Sequence, residues 1–235
     1  MKITYLGHAT LIVEMNNKKI LFDPFITGNP LASSIDIQSL IVDYIFVTHG
    51  HQDHVLDVEA VANNNDKALV VSNFEIVTWF GEKNINGHPM NHGGKYQFDF
   101  GTAKYVNAIH SSVLPDGSYG GNPGGFVLYD ASQSIYIAGD TAVTKDMELI
   151  PLSCPKLDIA VLPIGDNFTM GYEDALIASE LIQCDKIIGY HYDTFPPIEI
   201  DKSKAIEYFK SKGKELILLD VGESIYAKSS KSNSV

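Results

Sequence analysis

The stretch Thr48-His49-Gly50-His51-Gln52-Asp53-His54 packs three imidazoles and a carboxylate into one short loop. His49 and His51, two apart on an extended or turning backbone, can aim at one metal ion. Asp53 and His54 fall on the next turn, toward a second ion close by. This spacing predicts half of a dinuclear hydrolytic site. A solvated loop that merely happens to be rich in histidine is the plainer alternative, but it does not account for so many ligand types crowded behind a strand end.

The elements that must position this loop are legible beside it. Residues 41–47 form an apolar, β-branched run that predicts a buried strand, and residues 55–62 predict a helix that Asp53 begins. Three further strand-like runs, 104–109, 134–139 and 186–190, are followed at once by His110, Asp140 and His191. Each of these alone reads most simply as a turn former or a hydrogen-bonded core residue. Together with the first loop they complete a ligand set.

The order His-x-His-x-Asp-His, then a lone His, a Gly-Asp-Thr and a late His resembles the metallo-β-lactamase superfamily across nearly the whole chain. More narrowly, Gly7-His8-Ala9, Leu21-Phe22-Asp23-Pro24-Phe25, Gly139-Asp140-Thr141 and His191-Tyr192-Asp193-Thr194-Phe195-Pro196-Pro197 are similar to small metal-dependent hydrolases related to ascorbate-6-phosphate lactonase. The resemblance implies an α/β fold, a four-layer αββα sandwich of two mixed β-sheets with outer helices. It also implies that His49, His51 and His110 hold one metal ion, that Asp53, His54 and His191 hold a second, and that Asp140 bridges both. A flavo-diiron oxidoreductase would carry Glu at the His51 station, and a Cys-type zinc β-lactamase a thiolate at that of Asp140. Neither the long insert nor the basic arm of RNA-processing relatives is visible.

Composition points the same way. The chain has 235 residues, 45% of them hydrophobic, and no compositional break, which suits one domain over residues 1–227 followed by a Ser-Lys-rich, disordered tail at 228–235. Formal net charge is −12, and all 17 basic residues are lysine. Without a basic face or Arg forks, nucleic acid is not the expected substrate; a small molecule is. Two divalent ions would bring four positive charges against the carboxylates of Asp53 and Asp140, so global charge does not fix the sign of that small molecule. Cys154 and Cys184 show no metal spacing and read as reduced structural thiols. The opening apolar run is interrupted by His8 before a signal-peptide core forms, and no run reaches membrane-spanning length, so a cytoplasmic protein without membrane contact is expected, with room for a homo-oligomer.

The remaining pattern is β-rich, then α/β. Residues 3–6, 10–14 and 19–23 predict strands, the second and third joined by a turn at 15–18. Ser72-x-x-Glu75 predicts a capping box opening a helix that Gly81 ends. Residues 172–182 predict an amphipathic helix through Leu176, Ile177 and Leu181. Asp201 caps a last helix closed by Gly213, ahead of a strand at 216–219.

Three kinds of residue flank the ligand set. Asp23, locked by Pro24, is expected to hold the far nitrogen of a ligand histidine, with a plain turn-forming Asp-Pro as the lesser alternative. His8 is expected either on the pocket rim, as substrate contact or proton donor, or as a satisfied structural histidine. His88 is expected as loop structure, and His92 is left open between loop structure and a contact with substrate; the Gly- and Asn-rich loops 115–125 and 165–171 are the natural place for specificity. The chemistry expected is hydrolysis of an ester, lactone or phosphodiester by water that two divalent cations deprotonate near neutral pH, with Asp53 orienting or deprotonating it. Zinc, manganese and iron suit such ligands. A di-iron redox centre, or a metal-binding protein without turnover, is the alternative from a different class; His51 in place of Glu favours hydrolysis.

Overall fold

The computed structural model describes residues 1–227; the tail expected at 228–235 lies outside the described residues. One seven-stranded mixed sheet is built from β1 (Lys2–Gly7), β2 (Thr10–Met15), β3 (Lys18–Phe22), β4 (Tyr44–Phe46), β5 (Leu69–Asn73) and β6 (Gly87–Met90). The second runs through β7 (Lys95–Phe98), β8 (Gly101–Asn107), β9 (Gly124–Tyr129), β10 (Ser134–Ile137), β11 (Ile159–Pro163), β12 (Lys186–Tyr190) and β13 (Glu215–Ile217). The chain then returns to the first sheet, where β14 (Ser224–Tyr226) pairs antiparallel with β1. Helices α1 (Gln52–Val55), α2 (Val58–Asn64) and α3 (Phe74–Gly81) belong to the first half; α4 (Leu149–Ser153), α5 (Tyr172–Leu181) and α6 (Lys202–Ser211) to the second.

Three apolar layers make this a four-layer sandwich. Between the sheets, Ile3, Leu11, Phe22 and Phe46 of one pack against Tyr105, Phe126, Ile137 and Val161 of the other, with the Phe46 and Phe126 rings 4.8 Å apart. Outside the first sheet, Val55, Val58, Val61, Ile76 and Phe80 cover Leu21, Ile45 and Val70. Outside the second, Met147, Ile150, Leu176 and Phe209 cover Tyr136, Ala160 and Ile187. Because both faces of each sheet are covered, β10 and β11 are buried along their whole length and read as unbroken apolar runs, not alternating ones.

Strand direction fixes where the site is built. β3 runs parallel to β4, and β1 points the same way because two antiparallel pairings separate it from β3. In the second sheet the same argument aligns β8, β10 and β12. His8, Asp23, His49, His110, Asp140 and His191 all follow the C-terminal ends of these six strands. Crevices at the carboxyl ends of such strands are the usual ligand sites of α/β sheets.

Several local expectations are corrected. The strand expected at 41–47 is only Tyr44–Phe46, because Ile41 is 65% exposed and the Asp43 carboxylate turns back onto Lys18 and the Lys19 N–H. Helix 55–62 is two pieces: Leu56 and Asp57 break it, and Asp57 takes the Ile26 and Thr27 N–H groups. Its first cap is His51, with Asp53 inside the first turn. α3 is capped by Asn73, whose side chain accepts from the Ile76 N–H, while Ser72 stays in β5. In α5, Ile177 is exposed, so the buried stripe passes through Ala175, Leu176 and Ala178 instead. β13 ends at Ile217, before the expected 219. His88 lies in edge strand β6, against the Tyr96 ring at 4.1 Å, and not in a loop. The hairpin turn at Asn16 and Asn17, the Asp201 cap and the two free cysteines match expectation.

Candidate metal centre

The Asp140 carboxylate is the point of convergence. Its Oδ2 lies 2.9 Å from His191 Nε2, 3.3 Å from His54 Nε2, 3.6 Å from His110 Nε2 and 3.9 Å from His49 Nε2. These residues come from four loops spread over both halves of the chain, so only the packing of sheet on sheet brings them together. Asp140 reaches in because Gly139 adopts φ +68°, a left-handed turn open to glycine.

Two clusters share this carboxylate. On one side stand His49, His51 and His110, with His49 Nε2 and His51 Nδ1 3.0 Å apart. On the other stand His8, Asp53, His54 and His191, with Asp53 Oδ2 3.9 Å from His54 Nε2 and 3.8 Å from His191 Nε2. Every ligand expected from the sequence, His49, His51, Asp53, His54, His110, Asp140 and His191, is therefore in one place.

The donor set fits divalent cations on an observation independent of motif. His191 Nδ1 and Asp140 Oδ1 are buried without a hydrogen-bond partner among the described residues, and His54 Nε2 and His191 Nε2 meet only the crowded Asp140 and Asp53 carboxylates. Buried polar atoms of this kind are costly unless something binds them. Here lone pairs from several residues face one another over distances a cation would bridge.

The residues behind the ligands fix their tautomers. Asp23 Oδ2 lies 2.9 Å from His54 Nδ1 and accepts the Thr48 hydroxyl at 2.7 Å; Asp23 Oδ1 accepts the Thr48 N–H at 2.8 Å. Since the Thr48 proton goes to Asp23, its oxygen is left to accept from His49 Nδ1, 3.1 Å away. One carboxylate thereby turns Nε2 of both His54 and His49 toward the centre. Ser111 Oγ, 3.2 Å from His51 Nε2, does the reverse for His51 and leaves Nδ1 facing inward. Neither Thr48 nor Ser111 was singled out from the sequence; their position next to His49 and His110 is the signal that marks them.

His8 departs from the rim position considered for it. It is fully buried, with Nε2 3.0 Å from Asp53 Oδ2 and Nδ1 2.9 Å from the Thr194 hydroxyl. Its carbonyl accepts the His191 N–H at 2.8 Å, and both residues hold positive φ, 53° and 58°. Asp23 does too, at 42°. Non-glycine residues in this region are strained, and strain of this kind gathers at functional sites. His92 is not in the cluster; its Nε2 is held 2.9 Å from the Pro123 carbonyl.

Electrostatics follow from burial and crowding. Burial, and next the neighbouring His191, push the His8 imidazole down to about 4. Burial likewise lowers His49, His51 and His110, reinforced by adjacent rings. His54 goes the other way: burial opposes its charge, but Asp140, Asp23 and Asp53 together raise it well above the ordinary value. Burial opposes ionisation of Asp140 and Asp53 as well. His191 and His54 override it for Asp140, and His54 and His8 for Asp53, so both stay anionic far below the usual carboxylate range.

A β-lactamase superfamily domain model matches residues 2–191. A protein of Flavobacterium johnsoniae called a UPF0173 metal-dependent hydrolase is 61% identical over 225 residues, 96% of this chain and 99% of that protein. One of the same name from Christiangramia forsetii is 61% identical over 226 residues, with the same coverage. Among solved structures, Igni18, a metallo hydrolase of the archaeon Ignicoccus hospitalis, superposes with a TM-score of 0.85 at 30% identity, covering 95% of this chain and 97% of that one.

Proposed function

Because this chain belongs to the β-lactamase superfamily, and within it to a family named for metal-dependent hydrolysis, we propose that it is a metal-dependent hydrolase acting on an ester, lactone or phosphodiester bond of a small molecule. The observation that carries the reading is the approach of four imidazole Nε2 atoms to a single oxygen of Asp140. A merely structural aspartate needs one or two such partners.

In this reading His49, His51 and His110 would hold one divalent ion, Asp53, His54 and His191 would hold a second, and Asp140 would serve both. Such ions supply Lewis acidity and bring the deprotonation of water into the neutral range. Five imidazoles against two carboxylates favour zinc, with iron next and manganese after it. Asp53 is a carboxylate ligand open to solvent, its side chain 31% exposed, so it is placed to orient the attacking water. His8, clamped by Thr194, holds the same Oδ2 that faces His54 and His191 and keeps the carboxylate from swinging away. A cytoplasmic setting is part of the proposal; no described helix is long and apolar enough to cross a membrane.

The test is a panel of lactones, thioesters and phosphodiesters, assayed on protein stripped by chelator and reloaded with zinc, manganese or iron one at a time, beside Asp140→Ala. The variant is expected to lose at least about 100-fold in kcat/KM and to bind less metal. Equal cleavage by both proteins would place the activity elsewhere.

A further inference from the structure

The loops that carry the ligands and their supports, 7–9, 23–30, 48–57, 109–125, 139–144 and 191–200, and the neighbouring loop 164–174 contain none of the 17 lysines, and the chain has no arginine. The same loops hold acids instead, among them Asp116, Asp166 and Asp193. The nearest lysines in sequence are engaged: Lys145 pairs with Glu148, and Lys202 lies 3.0 Å from Asp193. These loops therefore offer no lysine or arginine side chain to a substrate at the centre.

The large side chains these loops expose are apolar or aromatic. Ile109, next to His110, is 52% exposed. Val113 and Tyr119, also exposed, bridge each other on the hairpin that Ser112 ties to the Gly50 N–H beside His49 and His51. On the Asp140 side, exposed Phe168 tops a loop anchored by the Met170 N–H on the Thr141 carbonyl, and Thr141 also holds the Ile109 N–H through its hydroxyl. On the His8 side stands half-buried Phe195. Exposed apolar residues set singly need no explanation, but a set distributed around one reactive centre marks a binding surface.

Resting on the hydrolase reading, we propose that the substrate is an electrically neutral carbonyl compound with an apolar acyl chain, an ester, thioester or lactone, and not a phosphate ester. Sites that transfer phosphoryl groups surround the non-bridging oxygens with Arg, Lys or oriented N–H groups in addition to metal ions, since each such oxygen keeps its charge throughout the reaction. Here two carboxylate ligands already offset part of the charge of the ions, and the surrounding acids repel a second anionic group. A carbonyl substrate carries no charge until the transition state, so it suits a centre that concentrates its positive charge at one point. Its acyl chain would lie across Ile109, Phe168 and Tyr119. In the reaction, water adds to the carbonyl carbon, the bond from that carbon to the alkoxy or thiolate oxygen or sulfur breaks, and the departing group leaves with the proton.

The experiment has a catalytic arm and a binding arm, both on metal-loaded full-length protein. In the first, p-nitrophenyl butyrate, mono-p-nitrophenyl succinate and bis(p-nitrophenyl) phosphate are compared as enhancement over buffer. Butyrate is expected to exceed the phosphodiester by at least about 100-fold and succinate, which adds a terminal carboxylate, by about 10-fold. Phe168→Lys should narrow the butyrate-to-succinate gap. In the second, octanohydroxamate is expected to bind at least about 10-fold more tightly than acetohydroxamate, from partial burial of its extra methylenes, and Phe168→Ala should shrink that ratio. Preference for the phosphodiester, equal rates for butyrate and succinate, or equal binding of the two hydroxamates overturns the proposal. Chain-length-dependent binding with no hydrolysis of any probe above the Asp140→Ala background would instead sink the hydrolase reading.

Discussion

Asp23 Oδ2 lies 2.9 Å from His54 Nδ1, with both side chains fully buried, and the same oxygen accepts the Thr48 hydroxyl. Removing that acceptor leaves the ring free to turn or to change tautomer, and orphans the Thr48 hydroxyl and N–H in the core. Asp23→Ala is therefore expected to weaken metal binding by about 10- to 100-fold, measured by competition with a chromogenic chelator. Asp23→Asn should recover little, because its amide NH2 would face one of three donors. Unchanged affinity in both variants would mean that Asp23 does not orient the ligands.

Gly139 gives a test of backbone origin. A Cβ there would fall 2.8 Å from the Thr48 Cβ and 2.9 Å from the Gly124 carbonyl, on a residue that already holds a left-handed φ. Gly139→Ala must shift either Asp140 or the Thr48 shelf, so both thermal stability and metal content per chain should fall, by at least about 1 kcal/mol in stability. Gly81→Ala is the control. Nothing lies within 4 Å of a Cβ at that helix end, and the change is expected to be neutral or slightly stabilising.

The ligands were legible before the fold because metal chemistry forces ligand types into short spacing and because apolar runs announce strand ends. His110, Asp140 and His191 are recognisable only as a set, since nothing local distinguishes each from a turn former. What the letters do not carry is depth. His8 looks like a turn residue that reaches the rim, yet β1 carries it into the interior, where Thr194, 186 positions away, meets its ring. Ser72 and Asn73 are both good caps, and only strand β5 extending to Asn73 decides between them. Ile177 fits a helical apolar stripe, but α5 rotates it to solvent because Ala175 and Ala178 pack closest on the sheet. In each case a tertiary contact overrides a local preference.

Buried histidines with lowered affinity for protons make the metal-free protein sensitive to acid. His8 titrates near 4 when folded, against an ordinary value of 6.5. Between those values the unfolded chain binds a proton that the folded chain refuses, so stability is complete above about pH 6.5 and declines as pH falls toward 4, by up to roughly 3 kcal/mol from this group. His49 acts in the same direction. His54 acts oppositely, its contribution being present below pH 6.5 and lost as pH rises through its raised value. The urea midpoint of chelator-treated protein should therefore drop between pH 6.5 and 4.5, and His8→Gln should flatten that slope. An unaltered slope in the variant would show that His8 is not the group responsible.

Ser111 allows the two halves of the centre to be separated. Its hydroxyl lies 3.2 Å from His51 Nε2, while His51 Nδ1 faces His49 Nε2 at 3.0 Å, so the hydroxyl can accept from Nε2 and support the tautomer that leaves Nδ1 to a metal ion. The Ser111 hydroxyl bonds to the first cluster, through His51. Its loss should accordingly weaken only the ion on the His49, His51 and His110 side. Because Ser111 is exposed, water can take over part of its role, which limits the expected effect of Ser111→Ala to about 10-fold. Ser111→Thr, which keeps the hydroxyl, should restore the affinity. Stepwise metal titration reads this directly: one binding step should move and the other hold still. Were both steps to shift equally, the two clusters would have to be treated as one coupled site in which Asp140 transmits the loss from one side to the other.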